Sequence, residues 1–281
     1  MEPISCALIA AAATFSTGAL FHEAQSNLIY PIKHRSEARH YVAPLFSEDG
    51  VPFCEATLET EDNVKIRTYV CKPRVEKEAK KRPTVLILHG NRGNIGCQSK
   101  IVSKFYHEIK CNVVLPSYRG YDRSEGKPTE QGIKNDAQNT KLIVYGRSLG
   151  GAVAIDLVAK NEDMIDALII ENTFLSIPKL FSKNFYLFPL SPFFTQTWSS
   201  EWSIGEIKAT PILFLASGSD TIVPQDHMKS LYDLAKTTAD KEWVEFPNGK
   251  HRDIVNQPVI VFTNLFFSIK ALKELRFAVN F

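Results

Sequence analysis

Leu142-Ile143-Val144-Tyr145 runs without a break into Gly146-Arg147-Ser148-Leu149-Gly150-Gly151. The first four residues are a short continuous apolar run, the pattern of a strand buried on both faces. From Leu149 to about Lys160 an Ala- and Val-rich stretch reads as a helix. Between them stands G-x-S-x-G, in the strand–turn–helix context that gives that motif meaning. The turn is tight enough to hold its serine in a strained backbone conformation, with the hydroxyl projected above the end of the sheet. Gly146 and Gly150 supply the room, because a β-carbon at either place would crowd the turn. The helix that follows aims its first N–H groups at the reacting centre. Ser148 is therefore the candidate nucleophile. A plain strand-to-helix turn is the alternative, and the apolar strand and Ala-rich helix argue against it.

A second apolar strand, Val85 to Leu88, ends in His89-Gly90-Asn91-Arg92-Gly93-Asn94-Ile95-Gly96. In sheets that carry such a serine, one oxyanion N–H comes from the residue after the nucleophile and one from a loop of this kind. Those residues are Leu149 and Asn91. Each donor is worth roughly 2.7–4 kcal/mol of transition-state stabilisation. A glycine-rich loop can also cradle phosphate, but this spacing matches neither GxGxxG nor a Walker motif. His89 reads as a structural residue that hydrogen-bonds within the loop.

The acid and the base then follow the serine in that order. The strand Ile212 to Ala216 leads into Ser217-Gly218-Ser219-Asp220, which places Asp220 at a strand end. Asp226 reads instead as a first-turn acid of the next helix, and Glu171, at another strand end, is the runner-up. Of seven histidines, His22, His34 and His40 precede the domain, and His107 and His227 fall on helices. Only His251 follows both Ser148 and Asp220 while sitting in a loop just after a strand. Its ring would accept the Ser148 proton and return it to the leaving group, with Asp220 fixing the tautomer. This set needs no metal and no organic cofactor.

Around these residues strands and helices alternate. Glu55–Glu61 and Val64–Lys72 read as an antiparallel hairpin turning at Glu61-Asp62-Asn63. Helical patterns cover Lys100–Ile109, Thr129–Asn139, Asp226–Lys236 and Pro258–Leu275. Asn112–Leu115, Ala167–Ile170 and Trp243–Phe246 are further strands. The alternation predicts a mostly parallel eight-stranded sheet flanked by helices. The stretch 174–204 breaks the pattern. It holds Phe174, Phe181, Phe185, Phe193, Trp198 and Trp202 with Pro189 and Pro192, and is expected to be an aromatic cap insertion over the site. Ordinary helix packing is the alternative.

The 281 residues, 44% hydrophobic and 23% charged, suit one large α/β core. A net charge of +2, with no long basic stripe, gives no sign of a nucleic-acid partner. The run Lys77, Lys80, Lys81 and Arg82 reads as a solvated hairpin or loop just before a strand. Five irregularly spaced cysteines are no disulfide framework, and no CxxC pair suggests zinc; buried free thiols are expected. No Asn-x-Ser/Thr acceptor occurs. These features favour a catalytic domain in a reducing compartment.

Residues 4–21 carry no charge. As a helix they would reach roughly 27 Å, close to the thickness of a bilayer's hydrocarbon core. A single membrane anchor over residues 1–24, followed by a catalytic domain over 25–281, is preferred. A cleaved signal peptide or a buried helix are the alternatives; the N-terminus lacks Lys and Arg. Lys33, Arg35 and Arg39 after the segment, against Glu2 before it, favour a cytosolic catalytic domain on the endoplasmic reticulum or plasma membrane.

Several stretches together resemble the membrane-anchored branch of α/β hydrolases typified by alpha/beta hydrolase domain-containing protein 13 and its fungal bud emergence 46 relatives. They are Asn27-Leu28-Ile29-Tyr30-Pro31, His89-Gly90-Asn91 with Gly93-Asn94-Ile95-Gly96, and Ser117-Tyr118-Arg119-Gly120-Tyr121. With them go the Ser148 motif, Glu171-Asn172-Thr173-Phe174, and Ile222-Val223-Pro224 with His227-Met228. The resemblance implies an α/β-hydrolase fold and a single-pass membrane hydrolase, with relatives that cleave acyl thioesters from palmitoylated proteins. In one respect the chain departs from the pattern: only residues 127–141 bridge the Tyr118 strand and the nucleophile strand, near the dozen-residue minimum for a parallel crossover. A thin cover on that flank is expected. The aromatic segment and the anchor favour an esterase or thioesterase acting on an acylated lipid or lipidated protein at the membrane. A serine peptidase, or a non-catalytic scaffold keeping the fold, are the competing readings.

Overall fold

The computed structural model describes residues 22–31, 50–131, 142–182 and 194–256. Among these, eight strands form one sheet: β1 (Phe53–Glu59), β2 (Lys65–Cys71), β3 (Thr84–Leu88), β4 (Asn112–Pro116), β5 (Leu142–Arg147), β6 (Ile165–Glu171), β7 (Ile212–Ser217) and β8 (Lys241–Phe246). Their spatial order is β1-β2-β4-β3-β5-β6-β7-β8. β2 pairs antiparallel with β1 and with β4, and every other neighbouring pair is parallel. Helices α1 (Ser99–Ser103), α2 (Leu149–Lys160), α3 (Ile177–Ser182) and α4 (Gln225–Leu234) pack around it, and residues 22–29 are helical.

The alternation of side chains along each central strand divides the core into two layers. Leu86, Leu88, Val144, Leu168, Ile170, Phe214 and Ala216 pack on one face with the α2 residues Val153, Ala154, Leu157 and Val158. Val85, Ile87, Ile143, Tyr145, Ala167, Ile169, Leu213 and Leu215 pack on the other with Ile101, Val102 and Phe105. Each fully buried aliphatic side chain contributes roughly 1.5–3 kcal/mol. With both faces covered, the central strands show the unbroken apolar runs seen in the sequence. β1 differs: its residues are mostly exposed and it carries Glu55 and Glu59, charges that blunt a free edge.

The hairpin, the buried strands and α2 fall where the sequence places them. The helix expected over Lys100–Ile109 is interrupted: α1 ends at Ser103 and continues as a wider π turn over Lys104–Glu108. That turn buries both Phe105 and Tyr106, with Phe105 edge-on to Tyr145 at 5.5 Å. The cysteine expectation needs correcting. Cys71 and Cys111 are buried free thiols, but Cys54, on the edge strand, and Cys97, in a 3-10 turn over Ile95–Gln98, are exposed.

The anchor over residues 1–24 lies almost wholly outside the described residues, as do most of the crossover 127–141, the final helix 258–275 and residues 183–193 of the aromatic insertion. Among the described residues no helix is long and apolar enough to cross a membrane. The described flanks of the insertion divide in two. Phe181 stacks on Phe194 at 5.8 Å, while Trp198 is core, its indole N–H donating to the Tyr30 hydroxyl at 2.9 Å. Trp202 is 77% exposed.

Candidate active site

Ser148 sits between β5 and α2 with φ 56° and ψ −121°. A side chain held there is strained, by about 1–3 kcal/mol. The surroundings leave no alternative. A β-carbon on Gly146 would stand 2.1 Å from the Gly150 carbonyl oxygen, and one on Gly150 would stand 1.9 Å from the Leu88 carbonyl oxygen. The turn is pinned from β6: the Ser148 N–H donates to the Glu171 carbonyl at 2.9 Å, and the Thr173 hydroxyl donates to the Ser148 carbonyl at 2.7 Å. The hydroxyl-bearing residue is thus part of the sheet's C-terminal rim, where open α/β sheets bind their ligands.

Two loops from that rim meet beside it. Asp220 lies three residues past β7, and its Oδ1 accepts the N–H groups of Ile222 and Val223 at 2.8 and 2.9 Å. That leaves Oδ2 for His251, whose Nδ1 is 2.6 Å away. Both side chains are nearly buried. A short charge-assisted contact of this kind fixes the ring and directs its other nitrogen, Nε2, away from the acid. The runner-up acid, Glu171, is engaged elsewhere. It is fully buried, the Tyr145 hydroxyl donates to its carboxyl, and burial raises its pKa above the ordinary carboxylate value despite Arg147 nearby.

Asn172 ties these loops together, a role the sequence reading did not assign to it. Its side-chain N–H₂ donates to the Ser217 hydroxyl at 2.9 Å and to the His251 carbonyl at 3.2 Å, and its oxygen accepts the Ser217 N–H at 2.8 Å. Its φ of 46° is the left-handed conformation that Asn tolerates better than most residues. The available signal was a polar Asn directly after a buried strand end.

The loop after β3 is held by its carbonyls. The Tyr118 hydroxyl donates to the His89 carbonyl at 3.0 Å and the Tyr121 hydroxyl to the Asn91 carbonyl at 3.1 Å, while the Asn91 side chain donates to the Ile29 carbonyl at 2.9 Å. His89 Nδ1 is 2.8 Å from the Gly90 carbonyl, and burial pushes its pKa down to about 4, so the ring is neutral. It belongs to the loop's packing, its ring tilted 32° against Tyr118 with centroids 4.1 Å apart.

Asn91, Ser148, Leu149 and His251 line one cavity of about 530 Å³. Four of the five residues singled out in the sequence therefore share it, and the fifth, Asp220, bonds to the fourth. Leu28 and Ile29 of the 22–29 helix, Phe174, and the α3 residues Ile177, Leu180 and Phe181 form its apolar wall. Among the described residues no cluster of His, Cys, Asp and Glu is arranged to hold a metal ion. The cavity sets a serine hydroxyl and an imidazole beside an apolar wall with room for an acyl group.

No family model matches the chain. It is 38% identical over 267 residues to an uncharacterized membrane protein of Saccharomyces cerevisiae, YNL320W, a span of 89% of this chain and 90% of that one. Protein bem46 of Schizosaccharomyces pombe is 39% identical over 247 residues, or 82% of this chain and 80% of its own. The alpha/beta hydrolase domain-containing protein WAV2 of Arabidopsis thaliana is 37% identical over 251 residues, 78% of this chain and 79% of its own. Among solved structures, the Pyrococcus furiosus esterase Pf2001 superposes with a TM-score of 0.65 at 18% identity, covering 82% of this chain and 98% of that one. At that identity the likeness speaks for the fold alone.

Proposed function

The chain belongs to the α/β-hydrolase family that includes bem46 and WAV2, and we propose that it is a serine hydrolase that cleaves acyl esters or thioesters. The observation that carries this reading is the 2.6 Å contact between His251 and Asp220 beside a cavity that also holds Ser148 on its strained turn. His251 Nε2 takes the Ser148 proton as the hydroxyl oxygen attacks the carbonyl carbon. The N–H groups of Asn91 and Leu149 receive the developing oxyanion. The proton passes to the leaving oxygen or sulfur as the carbon–heteroatom bond breaks, leaving an acyl-serine. Water, deprotonated by the same histidine, then releases the acid and restores Ser148. Asp220 holds the ring's tautomer and stabilises the imidazolium through both steps.

An acyl substrate suits the apolar wall formed by Leu28, Ile29, Phe174 and α3. It also suits a membrane setting: one relative is named a membrane protein, and residues 4–21 have the length and composition of an anchor. An acylated lipid or a lipidated protein is the substrate class in view, on the cytosolic face by the charge balance. From the aromatic stretch 174–204, Phe174 and Phe181 are the aromatic side chains that line the cavity beside the acyl chain. A panel of acyl oxoesters, acyl thioesters and peptide amides, offered to wild type and Ser148→Ala, tests the reading. Cleavage of the first two by wild type alone supports it. Cleavage of amides only would favour a peptidase, and cleavage of none a scaffold.

A further inference from the structure

The cavity at Ser148 is charged as well as apolar. Arg92 on the loop after β3, Arg147 beside the serine and Arg252 beside His251 all line it. Arg147 and Arg252 also line an adjoining cavity of about 170 Å³, to which Lys100 and Gln98 contribute. Among the described lining residues of both cavities there is no Asp or Glu. Two of these cations hydrogen-bond to side-chain amide oxygens: Arg147 donates to Gln98 at 3.2 Å, and Lys100 to Asn256 at 3.3 Å. Of the nearby carboxyls, Asp220 is held by His251, and Glu171 accepts from Tyr145 while the Arg147 charge also acts on it. A cleft with low-dielectric walls and one sign of charge concentrates counter-ions of the other sign. Guanidinium groups match the planar or tetrahedral oxygens of carboxylate and phosphate.

Resting on the serine-hydrolase reading above, we propose that the substrate's leaving group is anionic. The acyl chain lies along the apolar wall, and the alcohol or thiol half of the ester carries a carboxylate or phosphate that meets Arg92, Arg147 and Arg252. Hydrolysis adds water across the acyl C–O or C–S bond and releases a fatty acid and a negatively charged alcohol or thiol. Leu28, 41% exposed, and Ile222, 53% exposed, form an apolar stretch of the lining suited to an amphiphile.

A matched pair of esters separates this role from general catalysis: meta-hexanoyloxybenzoate and meta-hexanoyloxybenzamide, which differ in the charge of the leaving phenol. The expected result is a kcat/KM about tenfold higher for the benzoate, falling as salt is raised. In Arg92→Gln and in Arg252→Gln that ratio shrinks several-fold, and lysine at either position restores part of it. An arginine that serves the oxyanion or merely the fold would lower both esters together and leave the ratio unchanged. A lysophosphatidic acid compared with a monoacylglycerol, and an acyl-coenzyme A with an acyl-N-acetylcysteamine, then distinguish a lipid head group from a soluble phosphate carrier. Equal turnover of the two hexanoyl esters, or turnover of neither by protein that a fluorophosphonate labels, overturns the inference and leaves the hydrolase reading standing. Absence of both turnover and labelling overturns the two together.

Discussion

His251 Nδ1 stands 2.6 Å from Asp220 Oδ2, while the other oxygen of the same carboxylate is taken by the N–H groups of Ile222 and Val223. The acid is therefore oriented by backbone before it orients the ring. Asp220→Asn keeps a carbonyl oxygen for either set of partners but cannot accept from both as a charge. On the proposed mechanism it lowers kcat by about 10⁴-fold with a small change in melting temperature. Steady-state ester hydrolysis and thermal unfolding on the same preparation check this. Activity within tenfold of wild type would remove Asp220 from the mechanism.

The strain at Ser148 is separable from its hydroxyl. Ser148→Ala removes the nucleophile but leaves a β-carbon at φ 56°. Ser148→Gly removes both. The glycine variant is expected to be more stable than the alanine variant by about 1–2 kcal/mol, since the φ penalty vanishes and exceeds the extra chain entropy of glycine. Urea unfolding of the two inactive variants measures the difference directly, and an alanine variant at least as stable would mean that the turn carries no such strain.

Asn172 acts through His251 and Ser217, so its loss is felt in both stability and rate. Asn172→Gly forfeits three hydrogen bonds and is expected to cost about 2–3 kcal/mol. Asn172→Ala costs roughly 1 kcal/mol more, because the left-handed φ of 46° is retained without the amide that favoured it. In both, the His251 loop loses an anchor and kcat falls more than KM changes. A pair of variants with wild-type kcat would reduce Asn172 to a packing role.

Burial holds His89 neutral, with its pKa at about 4 rather than 6.5. The folded protein therefore takes up this proton less readily than the unfolded chain. The stability involved is intact above about pH 6.5 and is lost as pH falls toward 4, at up to roughly 1.4 kcal/mol per pH unit. Between pH 7.5 and 5 the wild type is expected to lose about 2 kcal/mol more than His89→Gln in urea titrations. Parallel losses in the two proteins would contradict the assignment.

Particular residues show why some of this architecture is readable in the chain and some is not. β5, the turn at Ser148 and α2 are local: an apolar run, two glycines and an Ala-rich stretch fix them with little help from elsewhere. Val85–Leu88 and Ile212–Ala216 are equally plain because both of their faces are buried. Asp220 and His251 could be placed from chain order after such a turn, and the sheet brings them to 2.6 Å. The π turn at Lys104–Glu108 left no mark, since the packing of Phe105 and Tyr106 that goes with it is tertiary. The exposure of Cys97 was hidden for the same reason. The roles of Asn172 and of the three arginines of the cavity are not legible in the stretches they sit in. Their roles exist only once strands distant in sequence end side by side.

The account turns on a reactive Ser148, and one measurement addresses that directly. The full-length protein, solubilised in detergent, is treated with a fluorophosphonate probe, digested, and the adduct mapped by mass spectrometry beside Ser148→Ala and His251→Ala. The expected result is a single adduct on the peptide containing Ser148, absent from the first variant and slowed by orders of magnitude in the second. A folded wild-type protein that takes no label, or takes it on another serine, would contradict the account.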